Sequence, residues 1–132
     1  MKPNSIFEFK LWTNLSDPKE EAVRTLKLPK HGKILGVGLQ ARALVLYVLG
    51  NIDDEQEERV FVTLMWGSNQ NTLFKDYKMK YVGTVCFGSY SEHVFENLDK
   101  KMLDKKFDRL DLLGLHPFKE YAKKWGTALH IY

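Results

Sequence analysis

With 132 residues, 44% of them hydrophobic and 28% charged, the chain has the size and composition of one globular domain rather than of a disordered segment. Its net charge of +3 is too small to make nucleic acid the default partner, and all of the excess lies late: residues 1–96 hold 12 Lys and Arg against 12 Asp and Glu, residues 97–132 hold 8 against 5. No long apolar run follows Met1-Lys2-Pro3-Asn4-Ser5, so neither a secretory leader nor a membrane span is expected, and a soluble protein of the cytoplasm follows.

The first element alternates apolar and charged side chains, Ile6-Phe7-Glu8-Phe9-Lys10-Leu11, which puts Phe7, Phe9 and Leu11 on one face of a half-buried strand. Asn, Ser, Asp and Pro between 14 and 19 end it. A second strand spans 22–28, with Leu26 and Leu28 on the inward side, and closes at the turn Pro29-Lys30-His31-Gly32. A third spans 33–40 with Ile34, Leu35, Val37 and Leu39, and only Ala41 and Arg42 separate it from a continuous apolar run over 43–49. So short a connection implies a hairpin, and a run without polar alternation suits the middle of a sheet.

An acidic loop, 51–58, leads to a fifth strand over 59–66, rich in Val, Phe, Thr, Leu and Trp. Residues 72–80 read as loop or irregular edge, and 81–87 and 93–95 form a last hairpin around Gly88-Ser89-Tyr90-Ser91. After Asn97, a candidate helix cap, the period changes: Leu98, Met102, Leu103, Phe107, Leu110 and Leu113 recur at helical spacing with Gly114 as a stop, and a second helix is expected from Pro117. The expected fold is therefore α+β, an antiparallel sandwich or half-barrel of about seven strands (1–96) with two C-terminal α-helices (97–132) packed on it as one structural unit.

Strong catalytic and cofactor signatures are missing from the sequence. Gly36-Val37-Gly38 has two glycines of a dinucleotide fingerprint, but it leads from strand to strand, so the glycines are read as a bulge or close packing. His31, His93, His116 and His130 have no metal-ligand spacing, and Glu92 and His93 point to opposite faces of their strand. The acidic run Asp53-Asp54-Glu55-Gln56-Glu57-Glu58 lacks the ligand spacing and glycine of a calcium loop and is read as a solvated loop. Cys86, the sole cysteine, is read as a buried packing residue. No cofactor and no metal is expected.

Phe74-Lys75-Asp76-Tyr77-Lys78-Met79-Lys80-Tyr81 interleaves bases with aromatics as a groove for single-stranded nucleic acid does, with Lys100, Lys101, Lys105 and Lys106 as an extension. Asp99, Asp104, Asp108 and Asp111 dilute that extension, and phosphate binding needs several uncompensated cations.

Four segments together resemble a family of small uncharacterised proteins encoded by bacteriophages and prophages: Leu28-Pro29, the strand Lys33-Ile34-Leu35-Gly36-Val37-Gly38-Leu39-Gln40, Tyr81-Val82-Gly83-Thr84 and His93-Val94-Phe95-Glu96. The resemblance covers about residues 5 to 96. The chain departs from it where the family carries a Trp and Asp-Pro (here Leu44 to Leu49, then Gly50-Asn51), where Trp66-Gly67-Ser68 replaces Gly-Thr-Gly, and in the added tail. It implies a β-rich fold and a phage setting, and it supplies no catalytic residues.

The function expected on these grounds is a non-enzymatic accessory protein that binds a host or phage protein in the host cytoplasm, through aromatics such as Trp66, Tyr77, Tyr90 and Trp125. The alternative is nucleic-acid binding through Lys75, Tyr77, Lys78, Lys80 and the basic tail; a third reading is a ligand site assembled only in space from histidines and carboxylates. Self-association through an exposed first or last strand is a further expectation, and no membrane partner is expected.

Overall fold

The structure is a computed structural model that describes residues 4–13, 21–65, 75–87, 90–103 and 105. Alternating side chains produce seven antiparallel strands: β1 (Ser5–Trp12), β2 (Val23–Pro29), β3 (Lys33–Gln40), β4 (Ala43–Gly50), β5 (Gln56–Met65), β6 (Met79–Phe87) and β7 (Tyr90–Asn97). They form a three-stranded sheet in the order β1-β4-β3 and a four-stranded sheet in the order β2-β5-β7-β6. The apolar run expected at mid-sheet is β4, at the centre of the smaller sheet, and the hairpin to β3 turns on Ala41, which takes a left-handed φ of 56°.

The two inner faces meet in one core. Leu44, Leu46 and Val48 of β4 pack with Leu28 of β2, Phe61 of β5, Val85 of β6 and Val94 of β7, with Leu11 and Trp12 at the end of β1. A second cluster covers the outer face of the larger sheet, where Val60, Val62 and Leu64 of β5 and Phe95 of β7 meet Ala22, Val23 and Met102. From Val60 to Leu64, then, β5 is buried on both faces.

At one lateral edge of the sandwich β3 lies against β6, and the approach is close. A Cβ added at Gly83 would sit 2.7 Å from Val37 Cγ2. Both edge strands bend near this seam: β3 bulges between Ile34 and Gly36, where Gly36 takes a φ of 155°, and β6 shifts register between Tyr81 and Gly83. The β6 shift also turns Val85 inward and leaves Cys86 exposed, which corrects the expectation that the thiol is buried.

The α+β expectation is also corrected: the described residues form an all-β fold, and neither of the two C-terminal helices is seen among them. β7 continues through Asn97, and the chain after it makes turns, with i→i+3 backbone bonds from Lys100 N to Asn97 O (3.2 Å), Leu103 N to Lys100 O (3.1 Å) and Lys105 N to Met102 O (3.0 Å). Two local causes act against a helix. Lys100 has a left-handed φ of 57°, and the Asn97 Oδ1 accepts the Met102 N–H at 2.8 Å, a side-chain bond that competes with helical pairing. Of the apolar stripe, Met102 is buried, whereas Leu98 and Leu103 are 50% and 41% exposed. Phe107, Leu110, Leu113 and the segment from Pro117 lie outside the described residues.

The seam between β3 and β6 predicts a specific cost. Gly83→Ala is expected to lose about 1–3 kcal/mol in urea denaturation, because a stiff β-branched side chain must give way. In a Val37→Ala background the same substitution is expected to lose less, a coupling that a double-mutant cycle measures.

Candidate functional site

Inward-facing positions at one end of the sandwich carry charge instead of hydrocarbon. On β5, Arg59 shares its face with Phe61, and on β7, Glu96 shares its face with Val94 and stands opposite Lys80 of β6. Together with Gly32 and Lys33 at the start of β3, and Tyr81, these residues line a cleft of about 220 Å³ between the edges of the two sheets.

Arg59 organises the floor of the cleft. Its Nε and Nη2 donate to the two oxygens of Glu96 at 2.7 and 2.6 Å, a bidentate fork, while Nη1 donates to the Gly32 carbonyl at 3.0 Å. The pair is 16% and 7% exposed. The hydrogen bonds it donates to Glu96 hold the guanidinium pKa above its ordinary value; burial opposes this, and the charges of Glu96 and Glu57 reinforce it. One guanidinium thus ties the β2–β3 turn to β7.

With Glu96 matched to Arg59, two lysines remain. Lys33 and Lys80 are exposed, and neither has an ion-pair partner among the described residues. The residues lining the cleft therefore carry three cations against one carboxylate, over a hydrogen-bonded floor whose Arg59 also feels the charge of Glu57. Such an arrangement attracts an anionic group and offers ammonium donors to it.

The structure splits the expected basic-aromatic segment. Lys80 and Tyr81 line the cleft, with Tyr81 56% exposed. Tyr77 and Met79 instead pack against the second apolar cluster, so Tyr77 is not an open stacking face. Lys75 and Lys78 are exposed, and the Lys78 backbone is engaged: its N–H donates to Asp99 Oδ2 at 3.0 Å and its carbonyl accepts from Leu98 N at 2.9 Å. Lys100, Lys101 and Lys105 are exposed in turns instead of along a helix. Tyr90 opens β7 opposite Phe87, with its side chain outside the description, and Trp66, Trp125 and Lys106 lie outside the described residues.

Arg59, Glu96 and Lys33 are the residues that sequence reading does not pick out. The available signal is parity: Arg59 falls two residues before Phe61 and Glu96 two after Val94, so both charges stand at inward positions and must find partners. Glu92, at the other end of the β7 inner face, is buried and accepts a short hydrogen bond from Thr63 Oγ1. His93 points to the other face, where its Nδ1 lies 2.9 Å from Thr84 Oγ1, which in turn lies 2.5 Å from the Tyr81 hydroxyl. Among the described residues no three His, Cys, Asp or Glu side chains are grouped to hold a metal ion, and no helix is long and apolar enough to cross a membrane.

Two outcomes follow. Arg59→Met leaves a buried carboxylate without its partner, and a loss of about 3 kcal/mol is expected in urea denaturation, most of it recovered in Arg59→Met/Glu96→Leu. Asp99 behaves differently, because the Lys78 N–H above all holds its pKa below the usual carboxylate value; desolvation opposes this, and the Lys101 N–H, the Asn97 amide and the Lys101 charge reinforce it. A depressed folded-state pKa gives stability that is present above the unfolded value and lost as pH falls through the folded one. Asp99→Asn should therefore lower the melting temperature at neutral pH, and the gap from the parent should close as pH falls below about 4. No family model matches the chain, and no curated protein or solved structure does either, so the chemistry of the cleft carries the functional reading.

Proposed function

We propose that this is a non-enzymatic binding protein whose cleft between β3 and β6 receives an acidic segment of a partner protein. The observation that carries the reading is the convergence of Lys33, Arg59 and Lys80 on one cleft whose described lining holds a single carboxylate, Glu96. Because Arg59 is already matched and pinned, the two lysine ammoniums are the groups left for the partner, while the fork beneath them keeps the cleft open and in register. A volume of 220 Å³ suits one or two carboxylates with their stems. The resemblance of residues about 5 to 96 to phage-encoded proteins supports the setting: a host or phage protein met in the host cytoplasm.

One observation favours a second reading. Tyr81, 56% exposed, follows Lys80 on β6, a neighbouring base and aromatic of the kind used by binders of single-stranded nucleic acid, although its ring turns to the face of Phe95, Thr84 and His93. The two readings separate in one experiment. A fluorescein-labelled Asp/Glu-rich peptide and a single-stranded oligonucleotide of equal net charge are titrated by anisotropy at low and raised salt. The proposal expects the peptide to bind, Lys33→Ala/Lys80→Ala to weaken it by about tenfold or more, and Tyr81→Ala to leave it unchanged. A loss confined to the oligonucleotide on Tyr81→Ala, with tighter oligonucleotide binding in the parent, transfers the assignment to nucleic acid. Failure of both probes to bind, or equal affinity in the double lysine variant, overturns the cationic cleft as the functional site.

A further inference from the structure

The opposite seam of the sandwich is built differently. There β1 of the smaller sheet runs above β2 of the larger, and the two strands share no ladder. The Trp12 Nε1–H donates to the Glu21 carbonyl at 2.5 Å and closes the seam at one end. Toward the other end it stays open as a groove of about 180 Å³ lined by Phe7, Phe9, Pro29, Ile52 and Gln56, with Ile52 73% exposed. Phe7 and Phe9 are half-buried and stack at a tilt, with ring centroids 6.4 Å apart.

Among the described residues β1 has one strand neighbour, β4, and no backbone hydrogen bond engages the other edge of residues 5–10. An open edge of this kind is a template for another strand. Side chains 6–10 alternate, Phe7 and Phe9 toward the groove and Ile6, Glu8 and Lys10 on the outer face, while Leu11, where the register shifts after Lys10, is buried in the core. Glu8 accepts from the Gln40 amide at 2.8 Å, and Lys10 has no ion-pair partner among the described residues.

We propose that two copies of the chain associate through this edge, β1 against β1 in antiparallel register, with the two-fold axis at Phe9. The register follows by elimination. Antiparallel neighbours share a face, so a register of odd offset sets the groove-facing Phe7 and Phe9 against outer-face residues of the partner and breaks the shared apolar side. Among the even ones, centring on Glu8 puts Glu8 directly opposite Glu8, centring on Lys10 does the same with the lysines, and centring on Phe7 leaves both charges unmatched. Centring on Phe9 sets Glu8 opposite Lys10 twice, once on each side of the axis. On the groove side it sets Phe9 against Phe9, with Phe7 of each copy flanking the axis, which extends the apolar lining across it.

The two smaller sheets then continue as one six-stranded sheet, β3-β4-β1-β1-β4-β3. The ladder is short, because the β1 register slips between Lys10 and Trp12 and Trp12 is held at the closed end of the seam. The dimer is accordingly reversible and depends on concentration. The same charge pattern that favours the register centred on Phe9 disfavours those centred on Glu8 or Lys10, which restrains the edge from open-ended aggregation.

Sedimentation equilibrium of the full chain over a concentration series tests the proposal. Glu8 and Lys10 are exposed, so charge reversal there leaves the core intact. Lys10→Glu and Glu8→Lys each turn two attractive cross-strand pairs into two repulsive ones, and each is expected to raise the dissociation constant by about tenfold or more. The combined charge swap Glu8→Lys/Lys10→Glu restores the parent value. In a Cys86→Ser background, a mixture of Glu8→Cys and Lys10→Cys chains is expected to form disulfide-linked heterodimers faster than either chain alone forms homodimers. A chain that stays monomeric at the highest attainable concentration overturns the proposal. So does a dimer indifferent to both single reversals, or one that the double swap fails to restore.

Discussion

Between two stacked sheets every inward side chain has either to be apolar or to bring its own partner, because no water is at hand to solvate it. Along most of the interface the first solution holds, with Leu44, Leu46 and Val48 facing Leu28, Phe61 and Val94. At one end the second takes over, and Arg59 and Glu96 satisfy each other and the Gly32 carbonyl at once. That change from hydrocarbon to a matched ion pair is what makes a charged cleft compatible with a folded sandwich. A lone arginine at the same place would favour opening the sheets, and a leucine would fill the space that the lysines overlook.

The strands were legible because a pleated, half-buried surface writes its period directly into the sequence. Phe7, Phe9 and Leu11 declare one face of β1, and the unbroken run from Ala43 to Leu49 declares a strand with neighbours on either side. Strand ends were less legible. β5 starts at Gln56, three residues before the apolar pattern does, because Glu58 pairs across to Lys27 and a charged residue is stable in a ladder when its neighbour carries the opposite sign. Cys86 was misplaced because the register shift in β6 reverses the parity that a simple alternation carries forward.

The tail shows where periodicity alone misleads. Leu98, Met102 and Leu103 do have helical spacing, yet Asn97 stays in β7 and spends its side chain on the backbone of Met102 and Lys78, and Lys100 turns left-handed. Local side-chain bonding outweighed the stripe. The site was hidden for another reason: Arg59 and Glu96 are 37 residues apart, and pairing over that separation is fixed by sheet order, which a single sequence does not express. Of the basic-aromatic segment only Lys80 and Tyr81 reach the cleft, since Tyr77 and Met79 serve the second apolar cluster.

The burial of β5 on both faces has a kinetic meaning. Its partners β2 and β7 lie far from it along the chain, so its ladder closes only after large loops have been ordered, a slow route compared with local hairpins. Once formed, it is shielded by an apolar layer above and another below. Its amides from Val60 to Leu64 then exchange with solvent deuterium only when the whole molecule opens, whereas the edge strand β1 exchanges through small local openings. The segment expected to exchange most slowly is thus also the one that presents Arg59 to the cleft, and the charged cleft is anchored to the last part of the molecule to unravel.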